Sequence, residues 1–212
     1  MTWGNQNTEA EAFEQMDIAC QEFGVNFLDT AEIYPVPPNK DTQGLTEQYI
    51  GNWMDKKKNR KDVTIATSIP GPLRRLPHHR LPGASLAVNN KKNIEEALDG
   101  SLKRLKTDYL DLYQIHWPDR YVPLFGADGY EPEKEREAVT FMEQLEAMGD
   151  LIKKGKIRHW GLSNETPWGV SQFSGRPGKG GLPRQRRAEL VLAPGARGLR
   201  AERHAGDLRP TE

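Results

Sequence analysis

Residues 93–116 read NIEEALDGSLKRLKTDYLDLYQIH, and within that stretch the spacing of the apolar residues changes. Ile94, Ala97, Leu98, Leu102 and Leu105 recur at intervals of three and four, which places them on one face of a helix. YLDLYQIH (109–116) is then a short apolar run of strand character. Asn93 is the predicted cap of the helix. A helix followed at once by a buried strand is half of a β-α repeat, and the same unit recurs on both sides. Thr8 and Glu11 form a capping box that opens a helix bearing Phe13, Met16, Ile18, Ala19, Cys20 and Phe23, and Gly24 ends it. VNFLDT (25–30) reads as a strand, 45–57 as a helix, and VTIAT (63–67) as a strand stopped by Pro70-Gly71. Downstream, 135–154 reads as a helix with Ala138, Phe141, Met142, Leu145, Met148 and Ile152 on one side. Gly155 ends it, IRHWGLS (157–163) is a strand, and Thr166-Pro167 opens another helix. MTWG at the start reads as the end of a strand.

About five such β-α units imply an α/β protein with parallel strands joined by crossover helices. A doubly wound sheet and a partial (β/α)8 TIM barrel both fit that pattern. The dinucleotide version of the first needs G-x-G-x-x-G after the first strand, and none is present. In a barrel, polar residues at the carboxyl ends of strands are the candidates for chemistry. They are Asp29, Ser68, His116, Ser163 and Asn164, with Tyr34 in the loop after the second strand.

Composition divides the chain at Phe173. All 17 aromatic residues lie in 1–173, whereas 174–212 holds eight Arg, one Lys, seven Gly and four Pro. That segment shows neither helical nor alternating period and is expected to be disordered. It reads either as a basic nucleic-acid tail or as out-of-frame coding sequence, the second being favoured. Formal net charge is +0, which gives no reason to expect a nucleic-acid or membrane partner. The polar, acidic start argues against a secretory signal, and no apolar run approaches membrane-spanning length, so a cytoplasmic location is expected. The one cysteine, Cys20, is expected to pack as a small core residue. Arg74, Arg75, His78, His79 and Arg80 read as a solvated loop rather than a phosphate or metal site, because no carboxylate or cysteine stands beside them at ligand spacing.

LDTAEIYP (28–35), LYQIHWPDR (112–120) and GKIRHWGLSNETPWGV (155–170) resemble the aldo-keto reductases. PVPPNKDTQGLTEQYIGNW (35–53) and DGSLKRLKTDYLDLYQIHWPDR (99–120) are closest to the branch that holds Tas-type oxidoreductases and is related to potassium-channel β-subunits. The resemblance covers 1–173, which it implies is a partial NADP-dependent oxidoreductase barrel, shortened at both ends. It implies NADP(H) as cofactor, a small carbonyl compound as substrate, and hydride transfer between them. Asp29, Tyr34 and His116 match three of the family's four catalytic residues. Thr2, Trp3, Asp29, Ser163 and Asn164 match positions that contact the cofactor. The fourth catalytic residue is a lysine in A-T-K, and this chain reads Ala66-Thr67-Ser68.

The serine changes the chemistry. An unperturbed tyrosine has a pKa of about 10 and gives up a proton best when that value lies near the working pH. Closing a gap of about 3 units takes roughly 4 kcal/mol. A neighbouring ammonium can supply much of this; a hydroxyl cannot. Asp29, deprived of its cation, pushes the phenol the wrong way. Weak or lost activity is therefore expected. Two other readings stay open: a non-catalytic nucleotide- or partner-binding subunit, and a truncated gene product without function.

Overall fold

Five strands stand side by side in chain order: β1 (Phe27–Asp29), β2 (Thr64–Ile69), β3 (Leu110–Ile115), β4 (Ile157–Leu162) and β5 (Leu190–Leu192), all neighbours parallel. They belong to a computed structural model that describes residues 1–71, 88–123, 129–175 and 190–192. Strand order separates the two architectures that the sequence left open. A doubly wound sheet reverses direction at a switch point, whereas here every crossover steps the same way. Right-handed crossovers that all step one way lay their helices on one face and leave the other to curl inward. The sheet is part of a (β/α)8 barrel.

The helices are α1 (Glu9–Gln21), α2 (Leu45–Lys57), α3 (Lys91–Leu105), α4 (Phe141–Lys153) and α5 (Pro167–Ser174). Alternate strand residues Ile65, Ile69, Tyr113, Ile115, Trp160 and Leu162 join Ile50, Trp53, Leu98 and Met148 in the core between sheet and helices. The other strand parity carries Ala66, Ser68, Leu112, Gln114 and Gly161, aligned across β2, β3 and β4 as Ala66–Leu112 and Ser68–Gln114–Gly161. This second face is the inside of the barrel. Helix α2 crosses α3 at Gly51, where an added Cβ falls well inside contact with the backbone of Arg104 and Leu105. Gly51→Ala is therefore expected to cost about 1–3 kcal/mol through overpacking, despite alanine's better helix propensity. A urea midpoint that stays put or rises would refute the close approach.

Several boundaries differ from the sequence expectation. Helix α3 is capped by Asn90, whose side chain accepts from the Asn93 N–H, so Asn93 is the third helical residue rather than the cap. Helix α4 begins only after Thr140, because Asp119 takes the Val139 N–H at 2.7 Å and the Asp119 carbonyl accepts from Arg136. Ala138 consequently lies outside the helix. Residues 1–7 form a turn closed on the Thr2 carbonyl, and Trp3 makes one isolated bridge to Asn7 where the end of a strand was expected. The fifth strand instead comes from beyond Phe173: Leu190–Leu192 pairs with Trp160–Leu162. It is the only consecutive apolar triplet in that segment, and the free edge of β4 supplies its hydrogen bonds. Arg74, Arg75, His78, His79 and Arg80 lie outside the described residues.

Candidate active site

The carboxyl ends of β1 to β4 gather the polar residues. Beyond Asp29 the chain keeps pairing with β2, through Thr30 N–H to the Ala66 carbonyl (2.9 Å) and Glu32 N–H to the Ser68 carbonyl (3.1 Å). That pairing fixes the path of DTAEIY and delivers Tyr34 edge-on to His116, ring centroids 5.9 Å apart. The Tyr34 carbonyl accepts from Gly44 N–H at 2.9 Å, closing the loop that follows.

Ser68 lies inside β2 rather than past its end and is 3% exposed. Its Oγ sits 3.0 Å from Nδ1 of His116. The His116 N–H donates to the Ile69 carbonyl (3.1 Å), and the ring stacks on Trp117 with planes 6° apart. Asn164, in the left-handed region at φ 55°, donates from its amide to the His116 carbonyl (2.8 Å) and to Ser163 Oγ (3.1 Å). Ser163 N–H donates to the Ile115 carbonyl at 2.9 Å.

Asp29 occupies the exposed side of the edge strand, and its Oδ1 accepts from the Gln114 amide at 3.1 Å. Gln114 was missed in the sequence reading. Its signal is its register: it stands two residues before His116 on β3, hence on the same face, and opposite Ser68. A neutral amide thus holds the carboxylate.

Thr2 and Trp3 are engaged elsewhere. Thr2 Oγ1 donates to Asn7 Oδ1 (3.0 Å), Trp3 Nε1 donates to Gln15 Oε1 (2.7 Å), and the Trp3 carbonyl accepts from Thr46 (2.8 Å). The segment still borders the site, since the Met1 carbonyl accepts from Val36 N–H in the loop after Tyr34.

Electrostatics follow from this packing. Surrounding protein raises the Asp29 pKa, with the Gln114 hydrogen bond opposing it in part. Tyr34 is raised as well, first by burial and then by the charge of Asp29. Burial lowers His116 to about 4 from its usual 6.5, so the ring is neutral at ordinary pH.

The histidine shift makes a stability prediction. Between pH 4 and 6.5 the unfolded chain binds the imidazole proton and the folded chain does not, so this contribution grows with pH and is lost on acidification. Its size is at most about 3 kcal/mol, reduced by the solvent that reaches the ring. Asp29 has the opposite slope, because its raised folded pKa favours the folded state at low pH. His116→Gln should therefore remove part of the acid sensitivity seen in urea midpoints between pH 7 and 4.5. A variant as acid-sensitive as the parent would locate that titration at another group.

A parallel barrel sheet with Asp, Tyr and His gathered at its carboxyl rim invites comparison with known proteins, and a model of the aldo/keto reductase family matches residues 1–179. The chain belongs to that family. It is 47% identical to Protein tas of Escherichia coli over 184 residues, covering 87% of this chain and 52% of that protein. An aldo-keto reductase of Babesia bovis is 47% identical over 118 residues, covering 52% of this chain and 40% of its own length. Norsolorinic acid reductase B of Aspergillus parasiticus is 30% identical over 161 residues, 76% of this chain and 35% of that enzyme. The chain thus spans about half the length, or less, of these curated relatives. Its relatives in the aldo/keto reductase family include oxidoreductases, and its rim residues fall within the matched region.

Proposed function

We propose that the chain carries the rim of an NADP(H)-linked oxidoreductase for a small aldehyde or ketone, with turnover held low by Ser68. The residues present suit the nicotinamide end of the cofactor. Ser163 offers a hydroxyl beside the His116 backbone, and Asn164 commits its nitrogen to protein acceptors while keeping its oxygen as an acceptor. When bound, the nucleotide supplies hydride to the carbonyl carbon. His116, neutral and with one ring N–H, orients the carbonyl oxygen and stabilises the charge that develops on it. Tyr34 is the acid for that oxygen. Its raised pKa makes it a poor one, and neither Ser68 nor Gln114 brings the positive charge that would correct it.

The observation that carries this reading is the Ser68–His116 contact at 3.0 Å, made by the residue that the family resemblance aligns with a catalytic lysine. The test pairs NADPH titration, followed by nucleotide fluorescence, with NADPH consumption on 4-nitrobenzaldehyde. Saturable binding is expected, with turnover about 10²–10⁴ below that of a full-length reductase. Failure to bind NADPH would overturn the assignment, and turnover at the relative's rate would overturn the role of Ser68.

The same contact favours a second reading, a nucleotide-binding subunit without turnover. Binding without catalysis in both the parent chain and Ser68→Lys, together with a co-purifying partner, selects it. In either reading the functional unit is built on residues 1–173, with Leu190–Leu192 adding the fifth strand to its sheet. A cytoplasmic location belongs to the proposal as well; among the described residues no helix is long and apolar enough to cross a membrane.

A further inference from the structure

Ser68 is 3% exposed, so almost no water reaches its hydroxyl, and the proton it carries needs a protein acceptor. Nδ1 of His116 stands 3.0 Å from Oγ. The histidine is held from its other sides too. Its backbone N–H is on the Ile69 carbonyl, its backbone carbonyl takes the Asn164 amide, and its ring packs against the rings of Trp117 and Tyr34. A neutral imidazole has one N–H, and a nitrogen that accepts a hydrogen bond is the one without it. Were Nδ1 protonated, Ser68 Oγ would accept, and its own proton would have no partner among the described residues.

We propose that Ser68 is a positioning residue: it donates to Nδ1 of His116 and thereby places the ring's single proton on Nε2. Nε2–H is then the donor left for a carbonyl oxygen. The inference deepens the oxidoreductase reading and rests on it for the identity of the ligand; the tautomer itself needs no ligand. It gives the serine a role of its own. The residue that costs Tyr34 its cation keeps the second polar group of the site oriented and correctly protonated. Substrate orientation and proton delivery, which one lysine would influence together, are separated in this chain.

The test is ¹⁵N NMR of the full chain with labelled histidine at neutral pH, the His116 signals being assigned by their loss in His116→Gln. The Nε2–H tautomer is expected in the parent and in Ser68→Thr, which keeps the hydroxyl. Ser68→Ala should shift the ring toward a mixture or toward Nδ1–H. An Nδ1–H ring in the parent overturns the proposal, and that spectrum decides even if the alanine variant fails to fold. An unchanged tautomer in a folded Ser68→Ala overturns it equally. Since neither nucleotide nor turnover enters the measurement, a chain that fails to bind NADPH leaves this result intact. A wrong tautomer, conversely, leaves nucleotide binding untouched.

Discussion

Ser68→Lys is expected to raise kcat for aldehyde reduction by about 10²–10⁴-fold, the usual worth of an effective general acid. Position 68 faces the barrel interior in register with Gln114, whose amide already reaches Asp29. A lysine stem from the same Cα puts an ammonium among Asp29, Tyr34 and His116. Two changes follow. Asp29 gains a cation, which lowers its pKa from the raised value that partial desolvation by the surrounding protein imposes. Tyr34 exchanges the unpaired charge of Asp29 for a neutralised pair, and its pKa falls toward the working range. The variant also forfeits the hydroxyl on Nδ1 of His116, so KM should rise while kcat rises. The measurement is steady-state kinetics, both in the chain itself and in a chimera with the carboxyl-terminal half of an active relative. A ¹³C titration of the Tyr34 ring accompanies it. If the phenol pKa falls but kcat does not rise, Tyr34 is not the acid. If the phenol pKa does not fall, the lysine does not reach it. Tyr34→Phe added to Ser68→Lys should abolish the gain.

Backbone periodicity made the strand-end positions legible in sequence, and the family resemblance supplied their roles. DTAEIY and YLDLYQIH place polar residues immediately after short apolar runs, and in a parallel barrel such positions converge. Strand and helix existence followed from the same periods, and α2 was read at its observed limits. What stayed hidden was fixed by contacts between distant segments. Gln114 looks like one polar residue in an apolar strand until register sets it beside Asp29, 85 residues away. Asp119 delays the start of α4 by capturing Val139 N–H, a tertiary bond that overrides the helical period of Ala138 and Phe141. Asn90 and Asn93 are equally good caps by type, and only the accepted hydrogen bond distinguishes them. Leu190–Leu192 is too short to announce a strand, and it is one because β4 has an edge to fill.

Arg104→Ala is expected to destabilise the chain by about 3–5 kcal/mol, the usual cost of removing one partner from a buried ion pair. Glu47, on α2, is fully buried. Its two oxygens are matched by Thr67 Oγ1 from β2 and by Arg104 Nε from α3, each at 2.6 Å. Arg104 also stands 3.9 Å from Glu32 and 3.2 Å from Ser101 Oγ. Without the guanidinium, the fully buried Glu47 keeps one neutral donor, Thr67 Oγ1, and uncompensated charge in such a place is far costlier than an exposed pair. The effect should be nearly independent of salt, because screening does not reach the interior. Glu32 lies between Asp29 and Tyr34 and its N–H holds the Ser68 carbonyl, so the loss also loosens the segment that aims the tyrosine. Amide exchange at Glu32 should accelerate in proportion to the lost stability. Glu47→Leu combined with Arg104→Met should recover most of the folding free energy, since a matched apolar pair leaves no charge behind. It should not recover the exchange protection at Glu32, because the guanidinium that stands 3.9 Å from its carboxylate is gone in that variant as well. A cost below about 1 kcal/mol for Arg104→Ala, the range of surface pairs, would mean that water reaches Glu47 and that this cluster does not brace the rim.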